Sequence, residues 1–261
     1  LSYSAIELFK TCPRKYYYNY ILKLPKKDWP WFTFGEFVHL VLELFYKYVK
    51  YLNRKNTKID NKKLMARAFD AAQKIFEKKT PGRINQKQIL EAKEVLKAYF
   101  DYIKDTNLVP FAIEKSFQFN LAEDVVFVGF IDRIDKTGEK SYKIVDYKTS
   151  KKTSKTKESR QLSIYAMAFR MLMNEDIELS KRLEFVKFLD RKPDDVNHDS
   201  SKDSELMEEL KRDAAEIKIA RESFKDEDWV AKSNNFCGIC DFKDRCNKDT
   251  KKTTGLDFLD D

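Results

Sequence analysis

A chain of 261 residues is enough for one large domain or two small ones. Charged residues make up 36% of it and the net charge is +8, a basic balance that favours a polyanionic partner. It carries no run of 18 apolar residues and no secretory leader, so no membrane partner is expected and a cytoplasmic protein is the default; the first residue is Leu1 and not Met, which leaves open both a natural start and a fragment of a longer polypeptide.

Taken in chain order, Ser4 caps a short helix through Lys10, and Pro13 suits the first turn of a second. That second segment, PRKYYYNYIL, sets Arg14 and Lys15 beside Tyr16, Tyr17, Tyr18 and Tyr20. Cations next to aromatic faces suit phosphate contact and base stacking on single strands, and the same tyrosines suit plain packing. Residues 35–52 form the clearest helix, with Phe37, Val38, Val41, Leu42, Phe45, Tyr48 and Val49 on one stripe. His39 lies off that stripe beside Glu36 and Glu43, which argues against a core histidine and leaves a solvated one or a ligand. Two further amphipathic helices, 62–78 and 85–104, are joined through Pro81-Gly82.

Phe111–Leu121 and Val125–Asp135 then alternate as a hairpin around Glu123-Asp124, and Ser141–Lys148 continues the sheet. A lysine-rich link over 150–159 reads as mobile; Lys151, Lys152, Lys155 and Lys157 would track a DNA backbone or simply be solvated. Arg160–Met173 is helical, Leu183–Leu189 is a strand, and an acidic loop follows with His198 exposed in it. Residues 203–222 make the last long helix. The order predicts an α/β fold, a mixed β-sheet core flanked by helices, in a single domain over 1–261 with a helical insertion at about 53–109.

The densest chemistry runs from GFIDRID to YKIVDYKTSK. Asp146 and Lys148 sit at period two, so both side chains emerge from one face of a strand. Ile144, Val145 and Tyr147 around them imply burial, and a buried strand rarely carries two charges unless they pair or hold a metal. Asp132, fourteen residues earlier on its own strand, adds a second carboxylate. Magnesium or manganese takes one or two carboxylates and keeps waters, lowers the pKa of a bound water and neutralises phosphate charge. Lys148 would act as an electrostatic clamp. The plain alternative for Asp-x-Lys alone is a surface ion pair. Glu114, on the first strand, either joins this group or faces solvent.

Four cysteines occur, Cys12 alone and Cys237, Cys240 and Cys246 as C-x2-C-x5-C. Thiolates so spaced can ligate one metal centre, the segments at about 10–14 and 235–248 being drawn together. Zinc ribbons usually bring two close pairs, so a solitary ligand with three neighbours favours an iron–sulfur cluster; zinc and, for an even count, disulfides are the alternatives.

Five stretches in order, SYSAIELFKTCPRKYYYNY, FGEFVHLVLE, GFIDRID with VDYKTSK, QLSIYAMAF and CGICDFKDRC, resemble the RecB-type branch of the PD-(D/E)XK nuclease superfamily, in its iron–sulfur subgroup. The proline of the superfamily's name is replaced by Ile131. The resemblance implies a restriction-endonuclease-like fold with a terminal cysteine-ligated cluster. It implies metal ligation by His39, Asp132, Asp146 and the backbone carbonyl of Tyr147, with Glu43 orienting His39 and Lys148 catalytic. Gln161 and Tyr165 match the family's Gln-x3-Tyr helix, and Cys12, Cys237, Cys240 and Cys246 match four ligands of a 4Fe-4S cluster. The function it implies is a Mg2+- or Mn2+-dependent deoxyribonuclease, an exonuclease on single-stranded DNA ends, fused to or associated with a helicase. The alternative is a catalytically silent DNA-binding or scaffold module; the residues also fit RNA as substrate.

Overall fold

A computed structural model describes residues 1–27, 29–57, 60–106, 108–150, 155–189, 194–223, 225 and 228–247. Its contacts divide the chain into two compact units, one of Leu1–Lys27, Phe119–Val128 and Ser204–Asp261, the other of Asp28–Gln118 and Gly129–Asp203.

In the first unit, helix α1 is Tyr3–Thr11 and its cap is Ser2, whose hydroxyl accepts from the Ala5 N–H at 3.3 Å. Ser2 has the extended backbone a cap needs; Ser4, the expected cap, is already inside the helix. Helix α2, Pro13–Tyr16, begins on its proline and runs into a π-helical turn, Tyr17–Ile21, that nothing in the sequence announces. The tyrosines pack: Tyr16 and Tyr17 stack on Trp229 with ring centroids at 5.9 and 5.1 Å, and Tyr18 meets the edge of Phe242 at 5.4 Å. Helix α7, Asp203–Glu222, joins this unit through the ion pair of Lys10 with Asp213 at 2.8 Å.

In the second unit, helix α3 is Pro30–Arg54. It starts five residues before the sequence reading because Pro30, with its fixed φ, occupies the first helical position. Helices α4, Asn61–Lys79, and α5, Gln86–Ile103, follow; Asp60 caps the first, and Asn85 with Gln88 makes a reciprocal capping box on the second. Phe37, Val41, Leu42 and Phe45 of α3, Ala68 and Ala72 of α4, and Leu96 and Tyr99 of α5 close one apolar cluster with Val145 and Tyr147.

The sheet is mixed and five-stranded in the order β1 Ala112–Ala122, β2 Val125–Lys136, β3 Ser141–Lys148, β4 Glu178–Phe185, β5 Val196–Asn197. Strand β3 runs antiparallel to β2, with Arg133 opposite Val145, and parallel to β4, with Asp146 opposite Leu183. Helix α6, Arg160–Met173, forms the crossover between β3 and β4, capped by Ser159. The last central strand is therefore Glu178–Phe185, not Leu183–Leu189. Its buried charges hid the alternation: Lys181 donates to the Ser163 hydroxyl at 2.9 Å, and Glu184 faces Arg133. His198 is also a correction, since its side chain is only 4% exposed and its Nε2 lies 2.8 Å from Asp203 Oδ1. Lys151 and Lys152 lie outside the described residues, but the end of that link is anchored: buried Thr156 accepts from the Leu183 N–H at 3.3 Å.

Arg133 is the polar heart of this unit. It donates from Nη1 to the hydroxyls of Tyr46, Tyr99 and Tyr147 at 3.1, 3.3 and 2.9 Å, and its Nε lies 3.0 Å from Asp135 Oδ1. Burial alone would favour the neutral base, yet the oxygens around it, Tyr147 first, hold it charged. Burial also pushes the phenols of Tyr46, Tyr99 and Tyr147 up, which keeps them protonated. Arg133→Met should cost about 3–5 kcal/mol, because it strands the buried Asp135 carboxylate without its cation, while Glu184 keeps Arg182 at 3.4 Å. Urea denaturation checks this, and Arg133→Lys, which keeps charge but loses the fork, should fall between.

Candidate active site

Strands β2 and β3 deliver the acidic residues side by side, and helix α3 brings the imidazole. Asp132 Oδ2 accepts from the Tyr147 N–H at 2.8 Å, which fixes that carboxylate against the neighbouring strand. His39 Nδ1 is 3.5 Å from Asp132 Oδ2, and its Nε2 is 3.1 Å from the Tyr147 carbonyl oxygen. On β3, Lys148 Nζ stands 2.6 Å from Asp146 Oδ2 and donates to Gln161 Oε1 at 3.1 Å. Gln161 Nε2 donates in turn to the Tyr165 hydroxyl at 2.8 Å, across one turn of α6. Glu43, expected to orient His39, pairs with Lys47 instead, and Glu36 pairs with Arg83 at 3.2 Å.

The carboxyls here resist ionisation. Burial raises the Asp132 carboxyl to about 6, and the Asp146 charge adds to the rise; His39, the Tyr147 N–H and Lys148 oppose it. Glu114 feels the same field. Its carboxyl is raised to about 7, by burial first and then by Asp132 and Glu43. Glu114 has a left-handed φ of 46° inside β1, with Lys115 and Ser116 exposed in succession after it. A kink of that kind re-aims a side chain, as bulges near sites do. Nothing in the sequence signals it, because a lone glutamate in a strand carries no mark of backbone conformation.

The donor set suits a hard divalent ion. Asp146 Oδ2 is buried and has no hydrogen-bond partner among the described residues, only the Lys148 ammonium as an ion partner. Both nitrogens of His39 face oxygen acceptors, whereas a neutral imidazole has one N–H to give. Among the described residues no three His, Cys, Asp or Glu side chains form a ready cage. Two carboxylates, a carbonyl and an imidazole with positions left to water are the open arrangement magnesium and manganese accept.

A model of the PD-(D/E)XK nuclease superfamily matches residues 1–247. The chain belongs to this superfamily. Among solved structures, one from Eubacterium rectale named "Putative exonuclease" is similar over 94% of this chain and 86% of its own, at 12% identity and a TM-score of 0.55. Another, SSO0001, covers 66% of this chain and 77% of its own at 15% identity, with a TM-score of 0.33. No curated protein matches.

This PD-(D/E)XK chain also shows why its motif begins with glycine. A Cβ on Gly129 would lie 2.4 Å from Phe117 Cζ, and Phe117 meets Tyr165 edge-on at 5.6 Å. The bare backbone of β2 is what leaves room for the ring that backs Tyr165. In the other unit, Cys12, Cys237, Cys240 and Cys246 line one pocket as thiols outside any disulfide. Burial pushes the Cys246 thiol up, and Cys12, Cys240 and Cys237 add to it. Arg14, expected at a DNA surface, is 7% exposed with its guanidinium over the Tyr17 and Tyr18 rings at 6.0 and 5.9 Å, an interior cation. Lys15 lies 3.7 Å from Asp241.

Glu114 gives a pH signature in chelator-treated protein. With its carboxyl raised from 4.5 to about 7, the native state holds a proton that the unfolded state releases, so stability falls as pH rises through that window. Glu114→Gln, permanently neutral, should shallow that slope; Asp132 acts with the same sign and keeps the remainder. Urea midpoints at about pH 5 and about pH 8 measure it, and an unchanged difference between them would count against the burial of Glu114.

Proposed function

We propose that this superfamily member is a metal-dependent deoxyribonuclease that removes nucleotides from single-stranded DNA ends, working as a module of a helicase–nuclease or beside one. The convergence of Asp132, Asp146 and Lys148 at adjacent strands carries the reading. A catalytically silent scaffold would have no electrostatic reason to hold buried carboxylates such as Asp132 and Asp146 close enough to raise one another. The name of the Eubacterium rectale neighbour supports the exonuclease part.

His39, Asp132, Asp146 and the Tyr147 carbonyl would hold the magnesium or manganese. When bound, the ion would supply Lewis acidity toward the phosphate and lower the pKa of a water. Hydrolysis adds a water oxygen to phosphorus and breaks one P–O ester bond, and the proton that water gives up balances the one taken by the leaving oxygen. Lys148, restrained by Asp146 and Gln161, offers its ammonium to the negative charge that grows on the phosphate oxygens. Tyr165, whose phenol is pushed up by burial, keeps its proton for donation, and Gln161 links it to Lys148.

The test is cleavage of 5′- and 3′-labelled single and double strands with Mg2+ or Mn2+, with binding that weakens as salt rises. Asp146→Asn should abolish cleavage while DNA binding holds or tightens; full turnover in that variant would remove the metal-site reading. Lys148→Ala should slow the chemical step by about 10²–10³-fold, by analogy with loss of one preorganised donor.

The four thiols in one pocket support a 4Fe-4S centre, with zinc as the alternative. Anaerobically purified protein should be brown and bleach with oxidant, and Cys246→Ser should lose colour and thermal stability together. Colourless protein with stoichiometric zinc would replace the cluster by a zinc site.

A further inference from the structure

Helix α3 opens with large aromatic side chains that its core face does not use. Trp31 is 48% and Phe32 62% exposed, while Thr33, Phe34 and Phe37 turn inward at 1%, 6% and 0%. The turn that carries them is held firmly. Pro30 occupies the first helical position, and its carbonyl accepts from Gln88 Nε2 at 2.7 Å. Trp31 stacks on Trp29 with centroids 4.8 Å apart and planes at 20°, and Phe32 lies 6.3 Å from Trp31 at 48°. Two exposed rings on an anchored turn form a surface of fixed orientation.

Phe32 shares a face with His39. Seven residues turn an α-helix by about 700°, only about 20° short of two full turns, and advance it by about 10 Å. Between them on that face stands Gly35, where a Cβ would lie 3.1 Å from Thr149 Oγ1, the residue after Lys148. The glycine therefore lets Thr149, at the end of β3, pack close against the same face of the helix that carries Phe32. Ten ångströms spans about three stacked nucleotides at about 3.4 Å each.

We propose that Trp31 and Phe32 are a base-stacking platform, holding unpaired nucleobases about three nucleotides from the phosphate addressed by Asp146 and Lys148. This deepens the nuclease reading and rests on it. The occupant is single-stranded nucleic acid, because every base offers a π-face to such rings whereas a paired duplex hides its faces in the stack. A protein partner fits poorly. The Glu36–Arg83 ion pair bounds the apolar patch one turn away, and a specific protein interface needs about 800 Å² on each side. The net charge of +8 supplies general attraction for the strand, and the rings supply a grip that phosphate contacts lack.

The experiment compares the full chain with the double variant Trp31→Ala/Phe32→Ala in chelator, so that no cleavage occurs. Fluorescence anisotropy reads binding of labelled oligothymidylate and of an abasic strand with the same number of phosphates. The wild type should prefer the base-bearing strand. The variant should bind it about 10- to 100-fold more weakly while abasic binding and the melting temperature hold, the loss expected from one or two stacked bases. Phe32→Tyr, which keeps a ring, should retain the preference. Equal weakening on both strands, no weakening, or a wild type indifferent to bases would each overturn the platform. A cleavage assay run alongside with Mn2+ separates the causes. Cutting by a wild type whose variant still prefers bases removes the platform alone, whereas a wild type that neither binds nor cuts removes the nuclease reading with it.

Discussion

A single buried guanidinium organises the interior behind the site. Arg133 projects from β2 into the side of the sheet covered by α3 and α5, where it meets three phenols and two carboxylates. Its neighbour in sequence, Asp132, projects to the opposite face, as alternation along a strand requires. The same residue pair therefore builds the packed interior with one side chain and the acidic site with the next. Because the Tyr147 hydroxyl accepts from Arg133 and its N–H donates to Asp132, β3 is gripped from both directions at the residue whose carbonyl faces His39. A shift of register by one residue would exchange the two faces and destroy both sets of contacts.

The acidic site owes its character to desolvation more than to any single pair. Asp132 and Glu114 are raised by burial before any neighbouring charge acts, and the neighbouring charges that add to the rise are carboxylates. Lys148 lies close to Asp146 but is also tied to Gln161 on α6, so its ammonium is shared between strand and helix. Carboxyl groups thus lie together in a poorly hydrated corner, where each resists the ionisation of the next.

Much of this was legible from residue order. Strand β3 and helix α6 begin and end where the sequence reading put them, because Ser141–Lys148 is rich in aromatic and β-branched residues after a turn and Arg160–Met173 follows a capping serine. The charges on β4 were not legible as a strand, since Lys181 finds a hydrogen-bond acceptor in Ser163 and Glu184 a cation in Arg133, partners distant in sequence. His198 failed for the same reason: a histidine among acids looks solvated until Asp203 is seen to hold it. Arg14 and the tyrosines around it offered two readings, and Trp229, more than two hundred residues on, decides for packing. Long-range partners of polar groups are the information that a local pattern lacks.

The contact of Gly129 with Phe117, and of Phe117 with Tyr165, has a mechanical consequence. Tyr165 holds Gln161, and Gln161 holds the Lys148 amine, so the amine's position is registered against the hairpin through a chain of rigid pieces. Close-packed interiors transmit displacement instead of absorbing it. The bare backbone at Gly129 thus stands at the far end of a contact path, Phe117 to Tyr165 to Gln161, that reaches the Lys148 amine, so a side chain added there would press on the whole path.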